Sequence, residues 1–142
     1  MQIRIFQPSL PVQMSKTMVH LKDIELAYNR ISGYINKTPV VTSQTLEKIA
    51  NEAGNPDFKF FFKCEHLQKT GAFKARGACN ASLLAKESGV SGVVTHSSGN
   101  HGQAVAWAAS KEVADLDCTV VVPKGTPQVK CEAIRQESLF CA

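Results

Sequence analysis

The stretch Gln68-Lys69-Thr70-Gly71-Ala72-Phe73-Lys74-Ala75-Arg76-Gly77 decides how this 142-residue chain is read. A polar, glycine-broken segment ends at Thr70-Gly71, and a helical pattern starts directly after it, with Thr70 as the expected N-cap. Phe73, Gly77, Ala78, Ala81, Leu84 and Ala85 recur at helical spacing and define the expected buried face. Lys74 then falls in the first turn, beside that face. The positive end of the helix dipole and burial both disfavour an ammonium there. Both supply free amine, the form that attacks an aldehyde carbon, as a Schiff-base lysine requires. A solvated lysine at a helix start is the other reading of the same residue.

Working outward, Phe58-Lys59-Phe60-Phe61-Phe62-Lys63-Cys64 reads as a strand by its aromatic density. Before it, Ile24, Tyr28, Ile31 and Ile35 predict an amphipathic helix over 23–35, capped by Asp23. Thr38-Pro39 breaks that helix, and Val40-Val41-Thr42 forms a short extended piece. A second helix is expected over 43–53, with Ser43 as cap and Leu46, Ile49 and Ala50 inward. Gly54-Asn55-Pro56-Asp57 is a turn. After the lysine helix come a short buried strand, Gly92-Val93-Val94-Thr95, a helix over about 100–110, and a strand, Cys118-Thr119-Val120-Val121-Val122. Pro123 to Pro127 turns the chain into a last helix with Val129, Ala133 and Ile134 inward. Strand, loop and helix alternating at this spacing predict an α/β fold, a parallel sheet covered by helices. Ligands in such folds bind in the loops at the carboxyl ends of the strands.

One of those loops is Ser97-Ser98-Gly99-Asn100-His101-Gly102. Two hydroxyls, an amide side chain and several backbone N–H groups gather at a helix start, a setting that suits a carboxylate. An ordinary N-cap in a glycine-rich connection is the plainer reading. No G-x-G-x-x-G or P-loop pattern is present. His96 and His101 invite a metal reading with Cys64 or Cys79, but their spacing matches no standard zinc pattern, and no metal site is assigned. His66 reads as a surface or packing residue. Trp107 and alanines 104, 106, 108 and 109 read as helix packing.

The charged fraction of 20% against 44% hydrophobic is that of a globular chain rather than a disordered one. A net charge of +4 comes from scattered basic residues, and aromatics make up only 7%, which argues against a nucleic-acid partner. No run of 18 apolar residues exists to span a membrane. Residues 1–20 lack signal- and transit-peptide patterns and read as a loose extension, with Met14 or Met18 as alternative starts. Five cysteines, an odd number without C-x-x-C spacing, predict reduced thiols and a cytoplasmic location.

Taken together the two loops carry a resemblance. Lys63-Cys64-Glu65, then Gln68 to Ala78, then Thr95 to Ala104, resemble the pyridoxal-phosphate enzymes of the tryptophan-synthase-β type (fold type II). They are most similar to the eukaryotic serine racemases and their threonine/serine dehydratase relatives. The resemblance runs from about Leu21 to Gln136, the N-terminal portion of such a catalytic domain and under half of a full-length member. It implies a three-layer parallel sheet flanked by helices, here incomplete. It implies that Lys74 forms the internal aldimine with pyridoxal 5'-phosphate, that Phe73 sits against the ring, and that Asn100 bonds the ring hydroxyl. The turn of Ser97, Ser98, Asn100 and His101 would hold the substrate carboxylate, and Ser98 would be the acid/base opposite the lysine. Some dehydratases carry alanine where Ser98 stands, so Ser98 leans toward racemisation. Thr38 to Ser43 also resembles the family. Ser43, Lys69, Thr70 and Gln103 match positions that bind ATP, an activator together with Mg2+, although Gln44 and Thr45 depart from the common residues. Serine and threonine are the implied substrates, D-serine or a keto acid and ammonia the products, and a homodimer the implied assembly.

The sequence also departs from that pattern. Its nine glycines form no phosphate-binding run, and the metal carboxylates have no counterpart. The tail from Glu137 to Ala142 is read as a truncation. The chain alone is therefore expected to hold the phosphate weakly, to be marginally stable and to turn over little substrate. The competing readings are a shortened chain that binds full-length subunits or is degraded, and a nucleotide-binding module without catalysis.

Overall fold

The computed structural model describes residues 18–54 and 58–138. Most of the expected extension, the Asn55-Pro56-Asp57 part of the turn, and the tail from Leu139 lie outside the described residues. Helix α1 spans Leu21–Ile31. Its N-cap is His20, whose backbone N–H donates to Asp23 Oδ2 at 2.8 Å, so Asp23 sits three residues inside the helix and closes a capping box instead of capping it. The helix ends four residues earlier than its periodicity predicts, because Ser32 and Gly33 turn the chain. Ile31 is buried and Ile35 packs on the core from the turn, but Ile24 and Tyr28 are exposed.

Strand β1, Val40–Val41, pairs antiparallel with β2, Phe62–Lys63. Between them α2 spans Gln44–Glu52, with Ser43 Oγ accepting from the Leu46 N–H at 3.4 Å. The strand expected over 58–64 thus shrinks to two residues and does not join a parallel sheet. Side chains of α2 occupy its backbone: Asn51 Oδ1 accepts from the Phe58 N–H at 3.1 Å, and Glu47 Oε1 from that of Phe60 at 3.2 Å. Period-two alternation survives in the rings, since Phe58, Phe60 and Phe62 contact one another in series. Leu46 and Ile49 are exposed rather than inward.

The second half follows the expected alternation. Helix α3, Lys74–Glu87, leads to β3, Gly92–His96, then α4, Asn100–Ala109, β4, Asp117–Val121, and α5, Gln128–Ser138. Strands β3 and β4 are parallel and in step, from Gly92 opposite Asp117 to His96 opposite Val121. Among the described residues the parallel sheet has these two strands only.

The core lies where α3 meets α4. Ala104, Ala106, Ala108 and Ala109 are fully buried, joined by Ile31, Cys79, Val105 and Val113. The buried face of α3 is Ala75, Ala78, Cys79 and Ser82, not the expected set, of which only Ala78 is fully inside. Small side chains at i, i+3, i+4 and i+7 let the two helix backbones approach. Phe73 and Leu84 would hold them apart and lie exposed instead. In α5, Ile134 is buried but Val129 is exposed. No helix among the described residues is long and apolar enough to cross a membrane.

Candidate active site

The lysine loop is built from two single-turn 3₁₀ segments, Glu65–Leu67 and Lys69–Gly71. Gln68 between them is buried, and its amide bonds the backbone of Asn36 in both directions: Nε2 donates to the Asn36 carbonyl at 2.8 Å and Oε1 accepts from its N–H at 2.9 Å. Thr70 and Gly71 then adopt left-handed backbone, φ 56° and 67°. That conformation is unusual for a β-branched threonine. Thr70 is therefore not the N-cap, and its buried Oγ1 has no hydrogen-bond partner among the described residues. Phe73 takes the cap position without any side-chain cap bond, and Lys74 is the first helical residue.

The expectation of a buried Lys74 is corrected here. The residue is exposed, with Nζ 5.1 Å from the centre of the Phe73 ring, because the face of α3 turned to α4 is that of Ala75 and Ala78. Its place at the positive end of the helix dipole stands.

The second loop continues directly from β3. The Ser97 N–H extends the ladder to the Val121 carbonyl at 3.0 Å, and Ser97 Oγ accepts from the Gly99 N–H at 3.2 Å. Ser98 is half-buried, while Asn100 and His101 are exposed. Among the described residues, no hydrogen bond engages the N–H groups of Asn100, His101 or Gly102. These are the orphan donors of a helix start, aimed out of the amino end of α4. Gly102 lets that end sit close. A Cβ there would lie 3.1 Å from Val120 Cγ1, 3.2 Å from Ile134 Cδ1 and 3.3 Å from Ser97 Cβ.

Packing of α3 and of the Lys69–Gly71 turn on α4 brings the two loops to one side of the molecule. A cleft of about 240 Å³ is lined by Gly77 and Ala78 of α3, Val93 and Thr95 of β3, and His101 of α4. Lys74 stands one turn of α3 before that lining. The Lys69–Gly71 turn meets the helix that carries Gln103. Ser43 caps α2, which packs extensively against neither element. Among the described residues, no three His, Cys, Asp or Glu side chains converge as metal ligands.

A polar cluster behind the lysine loop has no sequence signal. Arg76 clasps the Glu65 carboxylate with two nitrogens, Nε to Oε2 at 2.8 Å and Nη2 to Oε1 at 2.7 Å. Thr38 Oγ1 donates to the same Oε1 at 2.5 Å, and Lys63 Nζ donates to the Thr38 carbonyl at 2.6 Å. The Arg76 hydrogen bond holds the Glu65 carboxyl well below the usual range, at about 2, and the carboxylate in turn raises Arg76. Each residue lies inside a quoted motif, but no spacing rule pairs positions eleven apart across a turn.

An amine opening one helix and unbonded amides opening its neighbour fit an aldehyde cofactor and a carboxylate substrate. No glycine run holds a phosphate. Comparison with known proteins agrees. Residues 31–137 match the model of the pyridoxal-phosphate dependent enzymes. The chain is 52% identical over 117 residues to a serine racemase of Dictyostelium discoideum, covering 82% of this chain and 34% of that protein. The crystal structure of a pyridoxal 5'-phosphate-dependent aspartate racemase superimposes with a TM-score of 0.76 at 52% identity, over 84% of this chain and 36% of the other. That of a T.th. threonine deaminase superimposes with a TM-score of 0.70 at 38% identity, over 82% and 34%. The chain thus spans about a third of the length of these relatives. Its fold is part of the fold-type II domain. By its matched residues and its architecture, the chain belongs to the pyridoxal-phosphate-dependent enzymes.

Proposed function

We propose that this chain supplies the lysine and the carboxylate cradle of an amino-acid racemase that converts L-serine to D-serine and also eliminates water from serine or threonine. The observation that carries this reading is the packing of α3 on α4, which sets the first-turn Lys74 and the Ser97–His101 turn on neighbouring helix starts. Lys74 would hold pyridoxal phosphate through its amine, with Phe73 against the ring and Asn100 at the ring hydroxyl. When bound, the cofactor draws off the electron pair left as the α-proton departs. The free amide N–H groups of Asn100, His101 and Gly102 orient the substrate carboxylate. Lys74 Nζ, as free amine, takes the α-proton from one face, and Ser98 Oγ returns one from the other. Loss of the β-hydroxyl as water instead leaves an enamine, whose hydrolysis gives a keto acid and ammonia.

The test is reductive trapping. With pyridoxal phosphate and borohydride, the label should sit on Lys74, and Lys74→Ala should abolish it. Equal labelling of the other lysines, or none, would overturn the reading. Assays on serine, threonine and aspartate then define the substrate, aspartate being included because of the aspartate racemase likeness. Ser98→Ala should lower racemisation more than elimination.

Nucleotide binding by Lys69, Thr70 and Gln103, with Mg2+ held elsewhere, is a second part of this reading. The unpartnered Thr70 hydroxyl, in a turn packed on α4, favours it. The alternative, a chain that acts by binding longer subunits of the family, is favoured by the exposed apolar faces of α1, α2 and β2. Mixing this chain with a full-length relative and measuring co-elution separates that alternative from intrinsic catalysis.

A further inference from the structure

The start of α3 is poorly made by local rules. Phe73 supplies no cap bond, no acid stands in the first turn, and Lys74 and Arg76 put two cations at the positive end of the helix dipole. Thr70 and Gly71, immediately upstream, hold left-handed backbone. Left to itself this turn should fray. What holds it is external. Glu65 lies at the far end of the loop, and its carboxylate grips Arg76 through both oxygens. The grip closes a ring of chain that contains Thr70, Gly71 and Lys74. Thr38, in the segment before β1, bonds both partners of the fork through its hydroxyl, and Lys63 of β2 holds the Thr38 carbonyl. Glu65 thus supplies the negative charge that an acidic first-turn residue would otherwise provide. A two-point fork also fixes orientation in a way a single contact cannot.

We propose that Arg76, acting through Glu65, is a positioning residue for Lys74: the fork replaces the missing helix cap and sets where the amine stands. This rests on the reading of Lys74 as the cofactor lysine. No role in proton transfer is assigned to either partner.

The experiment uses the 142-residue chain and its Arg76→Gln, Arg76→Lys and Glu65→Gln variants, with two readouts. The first is the rate at which pyridoxal phosphate plus borohydride labels Lys74, located by mass spectrometry. The second is hydrogen exchange of the amides from Lys69 to Ala78, with the β3 and β4 amides as internal control and no cofactor present. Arg76→Gln and Glu65→Gln should each slow labelling about tenfold and speed local exchange about tenfold, while β3 and β4 stay protected. Arg76→Lys, which keeps the charge but loses the fork, should fall between. The double variant Glu65→Gln with Arg76→Gln should be no worse than the worse single one. Labelling within about twofold of the parent in both Arg76→Gln and Glu65→Gln would overturn the proposal. So would exchange that rises equally in β3 and β4, which would mark a general loss of fold. Should the parent chain fail to label at Lys74, the cofactor-lysine reading falls. The exchange arm then decides the fork alone: local loosening supports it, and unchanged exchange overturns it.

Discussion

Thr70 combines two unfavourable features at one residue: left-handed backbone on a β-branched side chain, and a buried hydroxyl without a partner. Each costs on the order of 1–2 kcal/mol. Thr70→Gly should therefore raise stability by about 1 kcal/mol after the larger chain entropy of glycine is counted. A chemical denaturation series would show it, and a loss of stability would mean the hydroxyl has a partner in solution. Gly71→Ala should do the opposite, destabilising by about 1–2 kcal/mol, since φ is 67° and the penalty is conformational: no atom lies within 4 Å of the added methyl. Glu65 gives the pH dependence. Its folded carboxyl titrates near 2, below the ordinary 4.5, chiefly because Arg76 bonds it. The unfolded chain therefore binds that proton more readily. The contribution is fully present above pH 4.5 and is lost as pH falls through about 2. It amounts to about 1–2 kcal/mol once partial solvent screening is allowed for. The stability gap between the parent and Glu65→Gln should be constant at neutral pH and close across that acid window. The placement of Lys74 in the first turn of one helix and of the Ser97–His101 turn at the start of another was legible from the helical spacing that follows each, while the exposure of Lys74 was not. The Arg76–Glu65 fork was not, because either residue alone looks like a solvated charge.

At the scale of elements, the alanines of α4 were legible and the face of α3 was not. The alanine stripe of α4 could only pack, and Ala104, Ala106, Ala108 and Ala109 are fully buried. In α3 the large residues Phe73 and Leu84 drew the expected face toward themselves. The helix instead turned the small side chains of Ala75, Ala78, Cys79 and Ser82 inward, since proximity to α4 required them. Replacing Ala104 with leucine should cost at least about 2 kcal/mol by overpacking this contact. It should also slow reductive labelling of Lys74 by separating the two helix starts. A variant that keeps its stability would show the interface to be looser than the buried alanines imply. The parallel pair β3–β4 was legible from strand–helix–strand spacing. The aromatic strand was misjudged in length because Asn51 and Glu47 of α2 take backbone N–H groups that a neighbouring strand would otherwise engage.

Among the described residues, the packed region is α3, α4, β3, β4, the end of α1 and, through Ile134, α5. Large apolar side chains such as Ile24, Ile49, Phe61 and Val94 are more than half exposed. An apolar surface of this kind is rarely left open in a stable monomer. The 142-residue chain is expected to bind a hydrophobic dye strongly, to unfold at low urea, and to turn over little serine. Sharp cooperative unfolding with no dye binding would contradict this. One property of the interior makes such openings easy to follow. Cys79 is wholly enclosed between α3 and α4, and burial pushes its thiol up to about 11. At neutral pH it is both shielded and protonated, so an alkylating reagent can reach it only when the helices part. The molecule thus carries its own gauge: the rate at which iodoacetamide modifies Cys79 reports how often the scaffold beneath the lysine comes apart.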